Sequence, residues 1–216
     1  MESHIGAKGF IIGTFVQDEL IAFRNVYFPD VKDREWNLGY DIGLKGPEDL
    51  EQVANLQMIC VHPKFRGNSL GRQMNSHAIA IIRRLRRYTH LCATVSPYNY
   101  WNVRILLNSG FTIRTLKTKY NGKLRYIVHQ NLTRDIESCE NNEQVSVRLT
   151  DLESQEKLFH RGFIGVRLRE IEGFRPQRPT DCANGFEVIF SAPPPAEFSL
   201  GRPPEIATRR VTVLDL

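Results

Sequence analysis

Apolar and polar positions change period several times along the chain, and each change marks an element. Gly9 to Val16 (GFIIGTFV) and Leu20 to Phe28 (LIAFRNVYF) are β-rich runs around Gln17-Asp18-Glu19, a pattern that predicts an antiparallel hairpin. Leu56 to Val61 is a continuous apolar run, stopped at His62-Pro63 because proline brings no N–H to a sheet. From Leu70 the period becomes helical. Leu70, Met74, Ala78, Ile81, Ile82 and Leu85 give one apolar face. His90 to Ser96 (HLCATVS) predicts a buried parallel strand. Ser96 and Pro97 then suit the cap and first residue of a second helix, with Trp101, Ile105 and Leu106 apolar and Gly110 as its left-handed stop. Phe111 to Tyr120 and Lys123 to Leu132 flank Asn121-Gly122, a pair that favours a tight hairpin.

Two stretches escape a simple period. Pro29 to Asn55 is long and mixed, with a short helix expected from Pro47. It carries Trp36, Tyr40 and many acids, among them Glu35 and Asp41. It reads either as a substrate-facing loop with an acidic side for an amine, or as a solvated excursion anchored by its aromatic residues. After Leu132, residues 133–144 read as a polar linker and residues 145–216 as a small αβ extension. Its expected elements are a strand at 145–149, a helix at 151–160 and strands at 163–168, 186–190 and 207–214. Prolines at 193–195 and 203–204 break its tail. Residues 1–132 form the expected main domain. The extension is too small to be trusted alone, so it is expected to dock on the open strand at Gly9 or to serve a homodimer contact.

Composition narrows the class. At 216 residues, 41% hydrophobic and 25% charged, the chain suits one large soluble domain or one domain with an appendage. No run approaches the roughly 18 apolar residues of a membrane helix, and the start lacks the apolar core of a signal peptide. Cys60, Cys92, Cys139 and Cys182 form no CxxC pair, which argues for a reducing, cytoplasmic setting and against structural zinc. Cys60 and Cys92, in apolar strands, are expected to be inert core thiols. Asn131-Leu132-Thr133 matches a glycosylation acceptor, but nothing else suggests secretion. The net charge is +5. Arg83, Arg84, Arg86 and Arg87 complement a helix C-terminus. Without aromatic interleaving they make a nucleic-acid partner the weaker reading.

The chemistry gathers at Arg66-Gly67-Asn68-Ser69-Leu70-Gly71, between the strand at Val61 and the helix at Leu70. Glycines let a ligand approach the backbone, and the first N–H groups of a helix have no partner inside it. The loop is therefore suited to a phosphate or pyrophosphate. A helix start that merely needs a tight turn would look the same. No Lys-Ser/Thr follows the second glycine, against a P-loop, and there is no G-x-G-x-x-G.

This loop resembles the acyl-CoA loop of the GCN5-related N-acetyltransferase (GNAT) superfamily, whose pattern is Arg/Gln-x-x-Gly-x-Gly/Ala. Arg66, Gly71 and the lead-in from Val61-His62-Pro63 to Gly67 match, and Ser69 stands where the family usually has glycine. A second signature fits as well: Asn99 opens a helix that ends in Gly110-Phe111. The stretch from Trp36-Asn37-Leu38-Gly39 through Tyr126 resembles a bacterial branch of the family. The resemblance implies an α/β (α+β) fold with a mixed central sheet flanked by helices. It also implies that the family's first strand and two helices should precede Gly9. Only about eight residues stand there, so either a longer reading frame or another segment is expected to cover that edge.

By resemblance, the activity is transfer of an acetyl group from acetyl-CoA to an amine of a small molecule or peptide, with no metal. Ile59, Cys60, Val61, Arg66, Gly67, Asn68, Ser69, Leu70, Gly71, Arg72 and Asn99 are the expected cofactor contacts. Glu35, Asp41, His62 or an ordered water is the candidate base. The family's usual acid, a tyrosine seven residues after the asparagine, is replaced by Leu106. Tyr98, Tyr100, Tyr120 and Tyr126 are candidate substitutes, with Tyr100 carried forward. A degenerate module that binds CoA or a partner without turnover is the alternative.

Overall fold

Nine strands and four helices form from these patterns, in a computed structural model that describes residues 8–133, 143–176 and 178–192. The strands are β1 (Gly9–Val16), β2 (Glu19–Tyr27), β3 (Val53–Val61), β4 (His90–Val95), β5 (Thr112–Lys119), β6 (Lys123–Asn131), β7 (Gln144–Arg148), β8 (Ile164–Glu170) and β9 (Phe186–Ser191). The helices are α1 (Pro47–Glu51), α2 (Leu70–Leu85), α3 (Tyr100–Asn108) and α4 (Leu152–His160). The strands make one sheet in the order β1-β2-β3-β4-β6-β5-β8-β9-β7. Among the described residues, β3–β4 is the parallel pair and every other neighbouring pair is antiparallel. The molecule is thus a mixed α/β fold with a mostly antiparallel central sheet flanked by helices.

One face of the sheet carries the main core. Ala54, Leu56, Leu91, Ala93, Val95 and Val128 pack there with Ala78 and Ile82 of α2, Val103, Leu106 and Leu107 of α3, and Leu158 of α4. The other face is covered by the long loop after β2. Leu38, 3% exposed, packs with Val53, Cys92 and Ile127, and Ile42 and Leu44 join them. Asn37 pins this loop: its Nδ2 donates to the Leu50 carbonyl at 3.0 Å, and its Oδ1 accepts from the Gly39 N–H at 3.0 Å. Gly39 must be glycine here, since a Cβ would stand 2.8 Å from Val53 Cγ2.

The C-terminal segment docks on the edge opposite to the one expected. β8 meets β5 at Ile113↔Gly165, while β1 stays at the far end of the sheet. The reason is local. Gly165 has no side chain, and a Cβ there would press at 3.0 Å on both Ile113 and Val188. Phe163, Leu168, Phe186, Val188 and Phe190 then extend the main core rather than forming a separate one. The strand expected at 207–214, Cys139, the prolines at 193–195 and 203–204, and most of the expected linker lie outside the described residues.

Three boundaries differ from the sequence expectation. β3 begins at Val53, so α1 is only five residues long. α3 begins at Tyr100 and is capped by Asn99, whose Oδ1 accepts the Asn102 N–H at 3.2 Å. Ser96 to Asn99 close a turn instead, with the Asn99 N–H on the Ser96 carbonyl at 3.0 Å. Pro97, with fixed φ and no N–H, serves a turn as well as a helix start. The β5–β6 hairpin closes at Lys119↔Lys123, so its loop is Tyr120-Asn121-Gly122, with φ of 51°, 58° and 89°.

Candidate active site

The site begins where two strands part. β3 and β4 pair in parallel from Val53↔His90 to Leu56↔Ala93 and no further. The next residue, Gln57, is a bulge: the β2 register steps from Val26↔Leu56 to Asn25↔Met58. A bulge bends its strand and ends pairing. β4 meanwhile stays with β6, through Thr94↔Ile127 and Val95↔Tyr126. From Gln57 and Thr94 onward the two strands therefore enclose a wedge whose backbone edges have no strand between them.

The bulge also reverses the side-chain alternation of β3. Ile59 turns toward α2, and its Cδ1 lies 3.5 Å from where a Gly71 Cβ would stand. Met58 and Cys60 turn outward and are exposed. The expectation of Cys60 as an inert core thiol is thus corrected. Cys92, before the parting, is fully buried, and burial pushes its thiol pKa up.

The loop that follows β3 suits an anion. A short 3₁₀ turn at Pro63–Phe65 leads to Gly67 at φ +86° and Ser69 at φ 58°. The first helical bond of α2 runs from the Gln73 N–H to the Ser69 carbonyl at 3.0 Å, so the N–H groups of Leu70, Gly71 and Arg72 lie ahead of it. The Ser69 hydroxyl makes no capping bond, and no acid stands in the first turn. The side chains are turned to the loop itself: Arg66 Nε donates to the Val61 carbonyl at 3.3 Å, and Asn68 Nδ2 to the Phe65 carbonyl at 3.1 Å. What the loop offers a ligand is its backbone donors and the positive end of a 16-residue helix. α3 stands alongside, with Ile105 Cδ1 3.6 Å from a Gly71 Cβ.

At the apex of the wedge, on the loop-covered face, the Tyr120 hydroxyl lies 3.2 Å from Thr94 Oγ1. The Trp36 ring tilts against Tyr120 at 5.6 Å, and the Trp36 carbonyl accepts from Asn55 Nδ2. Lys119, beside Tyr120, donates to Asp41 Oδ2 at 2.8 Å and to the Glu35 carbonyl at 2.9 Å. Lys117 reaches Asp41 Oδ1 at 3.2 Å.

The four candidate catalytic residues do not gather here. Asp41 is held between two lysines. The Glu35 side chain is exposed. His62 is exposed and uses Nδ1 to accept the Lys64 N–H at 3.3 Å, at the start of the 3₁₀ turn. Tyr100 stacks on Phe186 at 4.8 Å and lines a cavity of about 190 Å³ with Arg104, Glu170 and Cys182, between the first turns of α3 and the C-terminal segment. Burial, and then a hydrogen bond with Cys182, raises its phenol pKa. Leu106 is 1% exposed and belongs to the core, which is why no polar group stands there. Tyr126 is fully buried against Gln155, and Tyr98 is 62% exposed. The cluster of Trp36, Thr94 and Tyr120 was not assembled from the sequence. Its one signal was the Asn121-Gly122 turn, which holds Tyr120 at the hairpin end.

No protein-family model and no curated protein matches the chain. Solved structures do. An acetyltransferase of the GNAT family from Streptococcus pneumoniae is 15% identical over 60% of this chain and 70% of its own, with a TM-score of 0.46. The ribosomal-protein-S18-alanine N-acetyltransferase from Escherichia coli is 18% identical over 63% and 77%, at 0.47. The yncA protein from Salmonella typhimurium, solved with its cofactor acetyl-CoA, is 15% identical over 62% and 70%, at 0.46. At TM-scores below 0.5 these likenesses add nothing to the sheet order and wedge.

Proposed function

We propose that the chain is an acyl-CoA-dependent N-acetyltransferase of the GNAT superfamily, moving an acetyl group from acetyl-CoA to the amine of a small molecule or peptide. One observation carries the reading: β3 and β4 part at the Gln57 bulge, and the wedge they open stands next to the backbone donors at Leu70 to Arg72. A thioester with a long arm and a pyrophosphate fits this layout. Its thioester would supply the activated acyl group. The loop N–H groups would hold the pyrophosphate, and unpaired β3 amides just after the bulge would polarise the acyl carbonyl. A donor of that kind contributes about 2.7–4 kcal/mol in other enzymes. Ile59, Val61 and Ile105 would line the arm, and the substrate amine would attack directly. The free thiols Cys60, Cys92 and Cys182 suit a cytoplasmic setting. Among the described residues no helix is long and apolar enough to cross a membrane.

Thermal unfolding with and without acetyl-CoA tests this reading. At about 100 times its Kd the ligand should add roughly 2.7 kcal/mol, a rise of about 5–10 °C for a chain of this size. Ser69→Glu separates loop binding from general stabilisation. A carboxylate at a helix N-terminus favours the free protein but repels pyrophosphate. The variant should unfold within a few degrees of the parent, the dipole gain offsetting the left-handed backbone at φ 58°, and lose most of the acetyl-CoA shift. An unchanged shift would move the cofactor off this loop.

A further inference from the structure

Charge is segregated along the chain. From Gln52 to Arg134 the sequence holds 14 lysines and arginines and no aspartate or glutamate, so all 24 acids lie outside this stretch. The stretch builds β3, the anion loop, α2, β4, α3, β5 and β6. Three of its cations are paired with acids from outside it: Arg104 with Glu170, and Lys117 and Lys119 with Asp41. Along α2 no such pairing occurs. Lys64, Arg66 and Arg72 stand exposed at its start. Arg83, Arg84, Arg86 and Arg87 stand exposed at its end. Among the described residues none of these seven makes an ion pair. The Thr89 N–H bonds to the Gln52 carbonyl at 3.0 Å, which brings α1 close to this end of α2, yet Glu48, Asp49 and Glu51 leave the arginines unpaired. We propose that the outer face of α2 binds the phosphate backbone of a nucleic acid, without reading its sequence.

Geometry and chemistry favour phosphates over carboxylates. α2 has 16 residues, so its two groups of cations stand about 24 Å apart. One strand of a duplex passes about seven phosphates in that length. Arg72 and Arg83 are about three turns apart, which puts them on nearly the same line along the helix. All but Lys64 of these cations are arginines, whose planar fork matches a phosphate better than an ammonium does. At the start of α2 the free N–H groups of Leu70 to Arg72 prolong the row of anion donors. α2 carries no Phe, Tyr or Trp, so bases find nothing to stack on. Contacts confined to phosphates position a strand without selecting its sequence. The missing aromatic residues thus argue against base recognition, and leave backbone binding untouched. Ile81 and Leu85, 37% and 48% exposed, are the part-exposed aliphatic residues on the flank of α2. Two such side chains fall short of the apolar centre that a protein partner would bury.

Fluorescence anisotropy tests this with a labelled 20-base-pair DNA duplex, a duplex of scrambled sequence and a 20-nucleotide RNA, between 50 and 200 mM salt. With six or more phosphates neutralised, affinity for the duplex should fall about 1,000-fold over that range. Scrambling the sequence should change it by less than about twofold. The variant with Arg83→Gln, Arg84→Gln, Arg86→Gln and Arg87→Gln keeps the cations at the start of α2, so its affinity should fall only about 40-fold over the same range. It should unfold within a few degrees of the parent and keep the acetyl-CoA shift, because these arginines lie about 24 Å from the anion loop. A parent that binds neither DNA nor RNA at 50 mM salt, or whose affinity changes less than about tenfold, overturns the proposal. An unchanged salt dependence in the variant does the same. Polyglutamate that displaces the labelled duplex as well as unlabelled duplex does, at equal charge, overturns it in favour of an acidic protein. Tighter binding to vesicles of anionic phospholipid overturns it in favour of a membrane surface.

Discussion

His90 and His129 show how far one pair of side chains can tie stability to pH. They face each other across β4 and β6, with His90 Nδ1 3.1 Å from His129 Nε2 and the rings stacked at 5.3 Å. Burial, then the charges of His90 and Arg114, push His129 down to about 3; burial also lowers His90. Both are therefore neutral in the fold, whereas an unfolded histidine titrates near 6.5. Below that pH the unfolded chain binds protons that the folded chain refuses. Stability is complete above about 6.5 and falls as the pH drops toward 3. For His129 alone the loss between pH 7.5 and 5 is about 2 kcal/mol. Urea unfolding at those two pH values should show it, and His129→Gln should flatten the slope. An equal slope in the variant would place the titration elsewhere.

Elements are joined by a few buried polar contacts, and one of them fastens the C-terminal segment. The Tyr126 hydroxyl on β6 donates to Gln155 Oε1 of α4 at 2.6 Å, while Gln155 Nε2 donates to the Arg148 and Leu149 carbonyls. Tyr126→Phe removes the donor and leaves Gln155 Oε1 buried without it. Chemical denaturation should show a loss of about 1–3 kcal/mol with an unchanged m-value. Gln155 was no core candidate in the sequence, because its partners lie on other elements. The same limit explains what else was legible. Hairpins, α2 and α4 follow from period and turn residues, which are local. So does the anion loop, whose chemistry is backbone geometry written in Gly67, Gly71 and the helix start. The bulge at Gln57 has no glycine or proline to announce it, and missing it put Cys60 on the wrong face. Asp41 looked like a base because Lys117 and Lys119 are more than seventy residues away in sequence. Tyr120 meets Thr94 only because the β5–β6 hairpin returns beside β4.

At the scale of the whole molecule the question is whether residues 1–132 can stand without the rest. The sheet runs without a break from β1 to β7, and the main core crosses the boundary between the two parts. Phe163, Phe186, Val188 and Phe190 share one cluster with Leu106, Phe111 and Ile113. On the far side of α3, Arg104 meets Glu170 at 3.4 Å and lies over the Phe186 ring at 5.5 Å. Truncation after Leu132 would bare the outer edge of β5 and the apolar surface beneath α4. Each fully buried side chain so exposed costs about 1.5–3 kcal/mol, and several are involved. That sum is comparable to the roughly 5–15 kcal/mol that holds most domains together. The truncated chain should therefore aggregate, or melt without a cooperative transition by circular dichroism, and show no acetyl-CoA shift. A soluble monomer that melts cooperatively within a few degrees of the full chain would mean that α3 and β5 are held from the wedge side alone. The C-terminal segment would then be an accessory to the fold and not part of its core.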